Sequence, residues 1–219
     1  MIKNFKSNNT FPMIEKNLSK MNSPRVLELG VNRGRSSEKF LNILSSNNGN
    51  LFSIDIKDCS KVIASEKFNF YQCNDLDVEK ILNHFPSLRN GIDLLYIDSY
   101  HDPSHVKLLL KKWWTYLNKS CHIYFDDTES YIYKIQKQNI LSIINDSISN
   151  VIKEFYYSNY EDISYTKYYT GSGLSKFVKH SEKGKKANLK KIWNYNIVFS
   201  YLYKILKKLK FFLSNFKKL

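Results

Sequence analysis

Six carboxylates stand where this chain leaves short apolar runs: Glu28, Asp55, Asp75, Asp98, Asp126 and Asp127. Val26-Leu27-Glu28-Leu29, Leu51-Phe52-Ser53-Ile54, Phe68 to Gln72, Gly91 to Ile97 and His122 to Phe125 each read as a buried strand, and an acid lies in or just beyond every one. In an open α/β sheet, ligands collect outside the carboxyl ends of the strands. Carboxylates gathered there repel one another unless a cation shares the site. Asp98, Asp126 and Asp127 come from two strand ends expected to be neighbours, and an all-oxygen set suits Mg²⁺, Mn²⁺ or Ca²⁺. The other reading of the aspartate pair is a solvated turn or a helix cap. His101, three residues after Asp98 and of the side-chain type that most often serves as a base, is the candidate general base. His101 and His105 have i, i+4 spacing, but a helix starting at Asp102-Pro103 puts only His105 inside it, which argues against a zinc pair.

The first strand enters a glycine loop, Gly30-Val31-Asn32-Arg33-Gly34, and then a helix from about Ser36. A dinucleotide loop sets glycines against a pyrophosphate, yet here Glu28 precedes Gly30 by two residues and would repel one. The loop therefore favours a cationic ligand. S-adenosylmethionine, with a sulfonium, an ammonium and no phosphate, meets that demand; an ordinary strand-to-helix turn is the alternative. Asp55 follows Gly34 at about the 20-residue offset from which an acid accepts bonds from ribose hydroxyls. Asp75, after the third strand, would neighbour the adenine or ribose, and Asp98, at the exit of the fourth, is expected beside the same cofactor.

These residues need a mostly parallel sheet to hold them. Thr10 to Met21 reads as a lead-in helix with Thr10 as cap, Val78 to Phe85 as a short helix, and Asp102 to Leu117 as a helix capped by Asp102. Ser130 to Ser149 reads as a long helix with a stripe of Ile132, Ile135, Ile140, Ile143 and Ile144. Val151 to Tyr157 and Lys176 to His180 are expected as two late strands flanking a polar loop, Asn159 to Gly173. Trp113 and Trp114 are read as packing residues.

Three motifs in order, Val26 to Ser37, Asp93-Leu-Leu-Tyr-Ile-Asp-Ser-Tyr-His101 and Ile123-Tyr-Phe-Asp-Asp-Thr128, resemble the class I S-adenosylmethionine-dependent methyltransferases. Within that class they are most similar to a small-molecule and sugar O-methyltransferase group with an Ile-Asp-Gly-x-His loop, over residues 24 to 180. The resemblance implies a three-layer Rossmann-like sandwich whose seven-stranded sheet ends in an antiparallel hairpin. It implies Glu28 and Gly30 beside the methionine moiety of the cofactor, with Gly34 in the same cofactor-binding loop, Asp55 on the ribose, Asp75 near the adenine, a metal on Asp98, Asp126 and Asp127, and His101 at the acceptor hydroxyl. Ser99 replaces the loop glycine, Tyr100 stands where a small or acidic residue is common, and Ser120-Cys121 replaces two glycines. The function expected is metal-assisted O-methylation of a sugar or other small polar acceptor. The alternatives are a metal-independent enzyme using His101, or a silent cofactor-binding module docked to a membrane assembly.

Charge divides the chain in two. Eleven lysines and no acid follow Glu182, so residues 1 to 182 hold only +3 of the net +14. The expected organisation is a catalytic domain over 1–182 and a basic amphipathic tail over 183–219. Val198, Leu202, Ile205, Leu209, Phe212 and Phe216 would share one helical face, with lysines opposite. Such a helix suits an anionic membrane surface, on the order of 1 kcal/mol per lysine; packing on protein, including homo-oligomer contact, is the competing use. Its lack of arginine argues against nucleic acid. Three scattered cysteines, and no apolar segment in Met1 to Thr10, point to a reducing cytoplasmic setting without a secretory signal, peripheral at most on the inner membrane face.

Overall fold

The computed structural model describes residues 10–189. The elements run α1 (Phe11–Leu18), β1 (Arg25–Leu29), α2 (Arg35–Asn47), β2 (Asn50–Asp55), β3 (Phe68–Gln72), α3 (Val78–His84), β4 (Ile92–Ile97), α4 (Pro103–Trp113), β5 (Leu117–Asp126), α5 (Tyr131–Ile135), α6 (Asn139–Ser158), β6 (Ile163–Tyr168) and β7 (Leu174–Lys179). They form one seven-stranded sheet in the order β3-β2-β1-β4-β5-β7-β6. The first five strands pair in parallel, and β7 runs antiparallel to both β5 and β6.

Alternation along the strands builds one apolar layer on each face. Val26, Leu51, Leu94 and Tyr124 pack with Phe11, Ile14, Leu18, Phe40 and Leu44 of α1 and α2. Leu27, Leu29, Ile54, Leu95 and Ile123 turn the other way, against α3, α4 and α6. Trp113 and Trp114 are fully buried packing residues, as expected. β1 lies between β2 and β4, so the order reverses there, and a crevice opens at the carboxyl ends of β1 and β4.

Two expectations about the late region are corrected. Val151 to Tyr157 is not a strand but the end of α6, and the outer strand β6 arises inside what reads as a polar loop. The β-branched and aromatic content of Val151-Ile-Lys-Glu-Phe-Tyr-Tyr favours a strand locally. Burial of Ile148, Ile152 and Phe155 at helical spacing overrides that preference. The long helix is also broken: α5 ends at Ile135, Lys137 takes a left-handed φ of 57°, and α6 starts at Asn139. Its buried face is Ser142, Asn145, Ile148, Ser149, Ile152 and Phe155, whereas Ile135, Ile140 and Ile143 of the expected stripe are exposed. Thr10 makes no side-chain cap on α1, while Asp102 caps α4 by accepting from the Ser104 and His105 amides.

Past Glu182, Gly184 N donates to Thr115 O at 2.9 Å, Lys185 pairs with Asp162 at 2.7 Å, and Leu189 packs against the core. The amphipathic segment expected from Val198 onward lies outside the described residues.

Candidate active site

The glycine loop is tied down from both sides. Glu28, in the middle of β1, is fully buried and accepts from the Ser36, Ser37 and Ser53 hydroxyls at 2.5, 2.6 and 2.7 Å. Burial pushes its carboxyl above the ordinary range, and the three hydroxyls oppose that. Glu28 thus sits beneath the loop, joining it to the start of α2. Asp55 holds the loop from β2. Its Oδ2 accepts from Val31 N at 2.9 Å and Asn32 N at 3.0 Å, and its Oδ1 from Lys57 N. Burial would raise Asp55, but the three amides prevail and lower it, so it is a settled carboxylate.

Gly30 is required by contact as well as by conformation. It takes φ +96°, and a Cβ there would lie 2.2 Å from the Asp98 carbonyl oxygen. The β1 exit therefore passes directly against the β4 exit. Gly34, at φ +72°, opens α2, and a Cβ there would meet only the flexible side chains of Val62 and Ile63.

Asp75 sits at the β3 exit with partners of its own. Its Oδ2 accepts from Ser99 Oγ at 2.6 Å, His105 Nε2 stands 3.0 Å from its Oδ1, and Trp113 Nε1 donates to its carbonyl at 3.0 Å. His105, set aside in sequence as a zinc ligand, thus turns to Asp75 rather than joining His101. Ser99, the residue at the usual glycine position, ties the β4 loop to β3.

The remaining acids converge. His101 Nε2 stands 3.8 Å from Asp98 Oδ1 and 3.6 Å from Asp127 Oδ2, and one ligand atom from each residue lies within 4.8 Å of the others. Asp126 is beside them but engaged: its Oδ2 accepts from the Tyr96 hydroxyl at 2.9 Å and its Oδ1 from Asp127 N. Burial, then Asp126, Asp127 and Glu28, push Asp98 up to about 8. Burial, then Asp127, raise Asp126, and burial followed by Asp126 and Asp98 raises the Tyr96 phenol. Next to this group, Ile97, Ser99, Tyr100, His101, Phe125 and Asp126 line a small cleft.

Asp127 takes a left-handed φ of 54°, unusual for a residue with a side chain. The turn that enforces it is anchored by Glu129, whose carboxylate accepts from Ser130 N and Tyr131 N and pairs with Lys167 of β6 at 3.1 Å. Sequence reasoning missed the hydroxyls around Glu28, Tyr96 on Asp126, Ser99 and His105 on Asp75, and Lys167 on Glu129. Ser36 and Ser37, just past Gly34-Arg35 at the start of α2, were the one available signal.

This arrangement, a parallel sheet with a glycine loop and acids at its switch point and an antiparallel hairpin at one edge, defines the class I methyltransferase fold. Residues 27–128 match the family model described as a methyltransferase domain, and the likeness to solved structures is one of fold. Among solved structures it is similar to MycE, the methyltransferase of the mycinamycin biosynthetic pathway, in complex with Mg and SAH, at 17% identity and TM-score 0.56 over 83% of this chain. The chain spans about half, 52%, of the MycE chain. A candidate caffeoyl-CoA O-methyltransferase from Staphylococcus aureus matches at 14% identity and TM-score 0.58, covering 80% of this chain and 85% of that one. An SAH-bound Podospora anserina methyltransferase matches at 12% identity and TM-score 0.56, covering 72% of each chain. No curated protein matches the chain.

Proposed function

We propose that the chain transfers the methyl group of S-adenosylmethionine to a hydroxyl of a sugar or other small polar acceptor, assisted by a divalent metal ion. The observation that carries this reading is the crowding of Asp98, Asp126 and Asp127 around His101 at the sheet's carboxyl edge. Such crowding raises carboxyl pKa values and is relieved by a cation. Ligands about 2.1–2.4 Å from one ion stand about 3–5 Å from one another, and one oxygen each of Asp98 and Asp127 lies within that range of the other. These carboxylates, with Asp126 as a further oxygen, suit Mg²⁺ or Mn²⁺ and leave His101 beside the ion as the base. When bound, the metal would lower the pKa of an acceptor hydroxyl, and the cofactor would supply an electrophilic methyl group.

The chain's own residues do the rest. Asp55 fixes the glycine loop, and the exposed Ile56 beside it offers an apolar surface for a flat ring. Asp98 brings negative charge to the sulfonium side of the crevice. Tyr96 keeps Asp126 oriented, and His101, at the mouth of the cleft, takes the acceptor's proton. MycE, solved with Mg, SAH and mycinamycin VI, is a fold relative in which these components occur together.

A second reading rests on Asp98 alone. A carboxyl pushed up to about 8 keeps its proton at neutrality, so a proton can relieve the crowding in place of a metal, with His101 acting unaided. Titration of Mn²⁺ into the protein, followed by calorimetry, separates the two. Binding that is lost in Asp127→Ala supports the metal-assisted reading; methyl transfer that persists in EDTA supports the second.

A further inference from the structure

The outer side of α5 and the first turns of α6 breaks the usual pattern of a helix on a core. Tyr131 (67% exposed), Ile135 (48%), Ile140 (54%), Leu141 (42%) and Ile143 (40%) face outward, while the same stretch buries Ser142 and Asn145. The buried pair is satisfied locally, Ser142 Oγ by Asn139 O and Asn145 Nδ2 by Glu129 O. Folding this domain does not call for apolar side chains on the water side and polar ones beneath. A second apolar contact does.

We propose that Tyr131, Ile135, Ile140, Leu141 and Ile143 form a docking face for an anionic lipid bilayer. A stable protein–protein face takes about 20–30 residues a side, and five side chains within one helix–turn–helix fall well short of a second copy's requirement. Interfacial binding needs less: a few apolar anchors inserted at headgroup depth and a positive charge to draw the protein in. The chain supplies that charge, +14 in all, with eleven lysines and no acid after Glu182. No helix among the described residues is long and apolar enough to cross a membrane, so the face would rest on the bilayer. Tyr131 follows Asp127 by four residues, which puts the docking face next to the acid cluster. On the methyltransferase reading, the acceptor hydroxyl is then one borne by a lipid headgroup.

The test is co-sedimentation of the full chain with vesicles of phosphatidylglycerol and phosphatidylcholine, or of phosphatidylcholine alone. The full chain is expected on the anionic vesicles, and Ile140→Asp with Ile143→Asp is expected to reduce the bound fraction at least tenfold. Calorimetric binding of S-adenosylmethionine by the variant shows that it folds, and keeps failure of docking distinct from failure of the methyltransferase reading. Should the variant not fold, Ile140→Cys carrying an environment-sensitive fluorophore serves instead, because the three native cysteines are buried; anionic vesicles should shift its emission to the blue. The proposal is overturned if the full chain stays in solution, if the variant sediments equally, if the fluorophore reports no change, or if light scattering finds a dimer that the two substitutions dissociate.

Discussion

Tyr96 and Asp126 face each other across neighbouring strands, with the tyrosine hydroxyl 2.9 Å from Asp126 Oδ2. Among the described residues, this bond is the one side-chain hydroxyl given to a carboxylate that burial and Asp127 both discourage from ionising. Tyr96→Phe keeps the ring against Phe40 and removes only the donor. Losing one such bond to a part-buried acceptor costs about 0.5–1.5 kcal/mol. Urea unfolding at pH 7 should show that loss; an unchanged midpoint would mean Asp126 finds another donor.

Asp98 makes the stability of the metal-free protein depend on pH. Its folded pKa, about 8, lies above the ordinary 3.8, so the folded state holds a proton that the unfolded state gives up as pH rises from about 4. The folded state is therefore penalised increasingly up to about pH 8. Asp98→Asn removes the penalty. In EDTA, the Tm of the variant minus that of the wild type should grow between pH 5 and pH 8, and a constant difference would show that Asp98 ionises normally.

The close approach of Gly30 to Asp98 predicts unequal tolerance of the two loop glycines. Gly30→Ala forces a Cβ onto backbone and a left-handed φ, whereas Gly34→Ala meets movable Val62 and Ile63. Backbone strain of this kind costs on the order of 1–3 kcal/mol, to which Gly30→Ala adds a clash. Thermal unfolding should rank Gly30→Ala below Gly34→Ala, and only the former should abolish S-adenosylmethionine binding.

Lys167 and Glu129 form an ion pair whose side chains are only 13% and 14% exposed. Removing one partner of such a pair costs about 3–5 kcal/mol. Lys167→Met should lower stability by about that much and weaken Mn²⁺ affinity, since Glu129 anchors the turn that carries Asp127. Calorimetry with Mn²⁺ checks the second half; full affinity in a folded variant would separate the pair from the site.

The parallel half of the fold was legible because β1, β2, β4 and β5 hold buried apolar runs with an acid in or just beyond each, while β3, the half-buried edge strand, showed as an aromatic run. The late half was not: Val151 to Tyr157 has strand composition but lies on a helix whose buried face was read on the wrong side. The acids themselves were readable at the strand ends. What they touch was not, since Tyr96 reaches Asp126 from a neighbouring strand, and His105 reaches Asp75 from another element entirely. Local spacing carries no information on such pairings.

Methyl transfer requires the cofactor first. Isothermal titration of S-adenosylmethionine into the full chain should give a single saturable site, lost in Gly30→Ala and weakened in Asp55→Ala. A titration of the folded protein with no saturable heat, and no shift of Tm by the cofactor, would contradict the account at its centre.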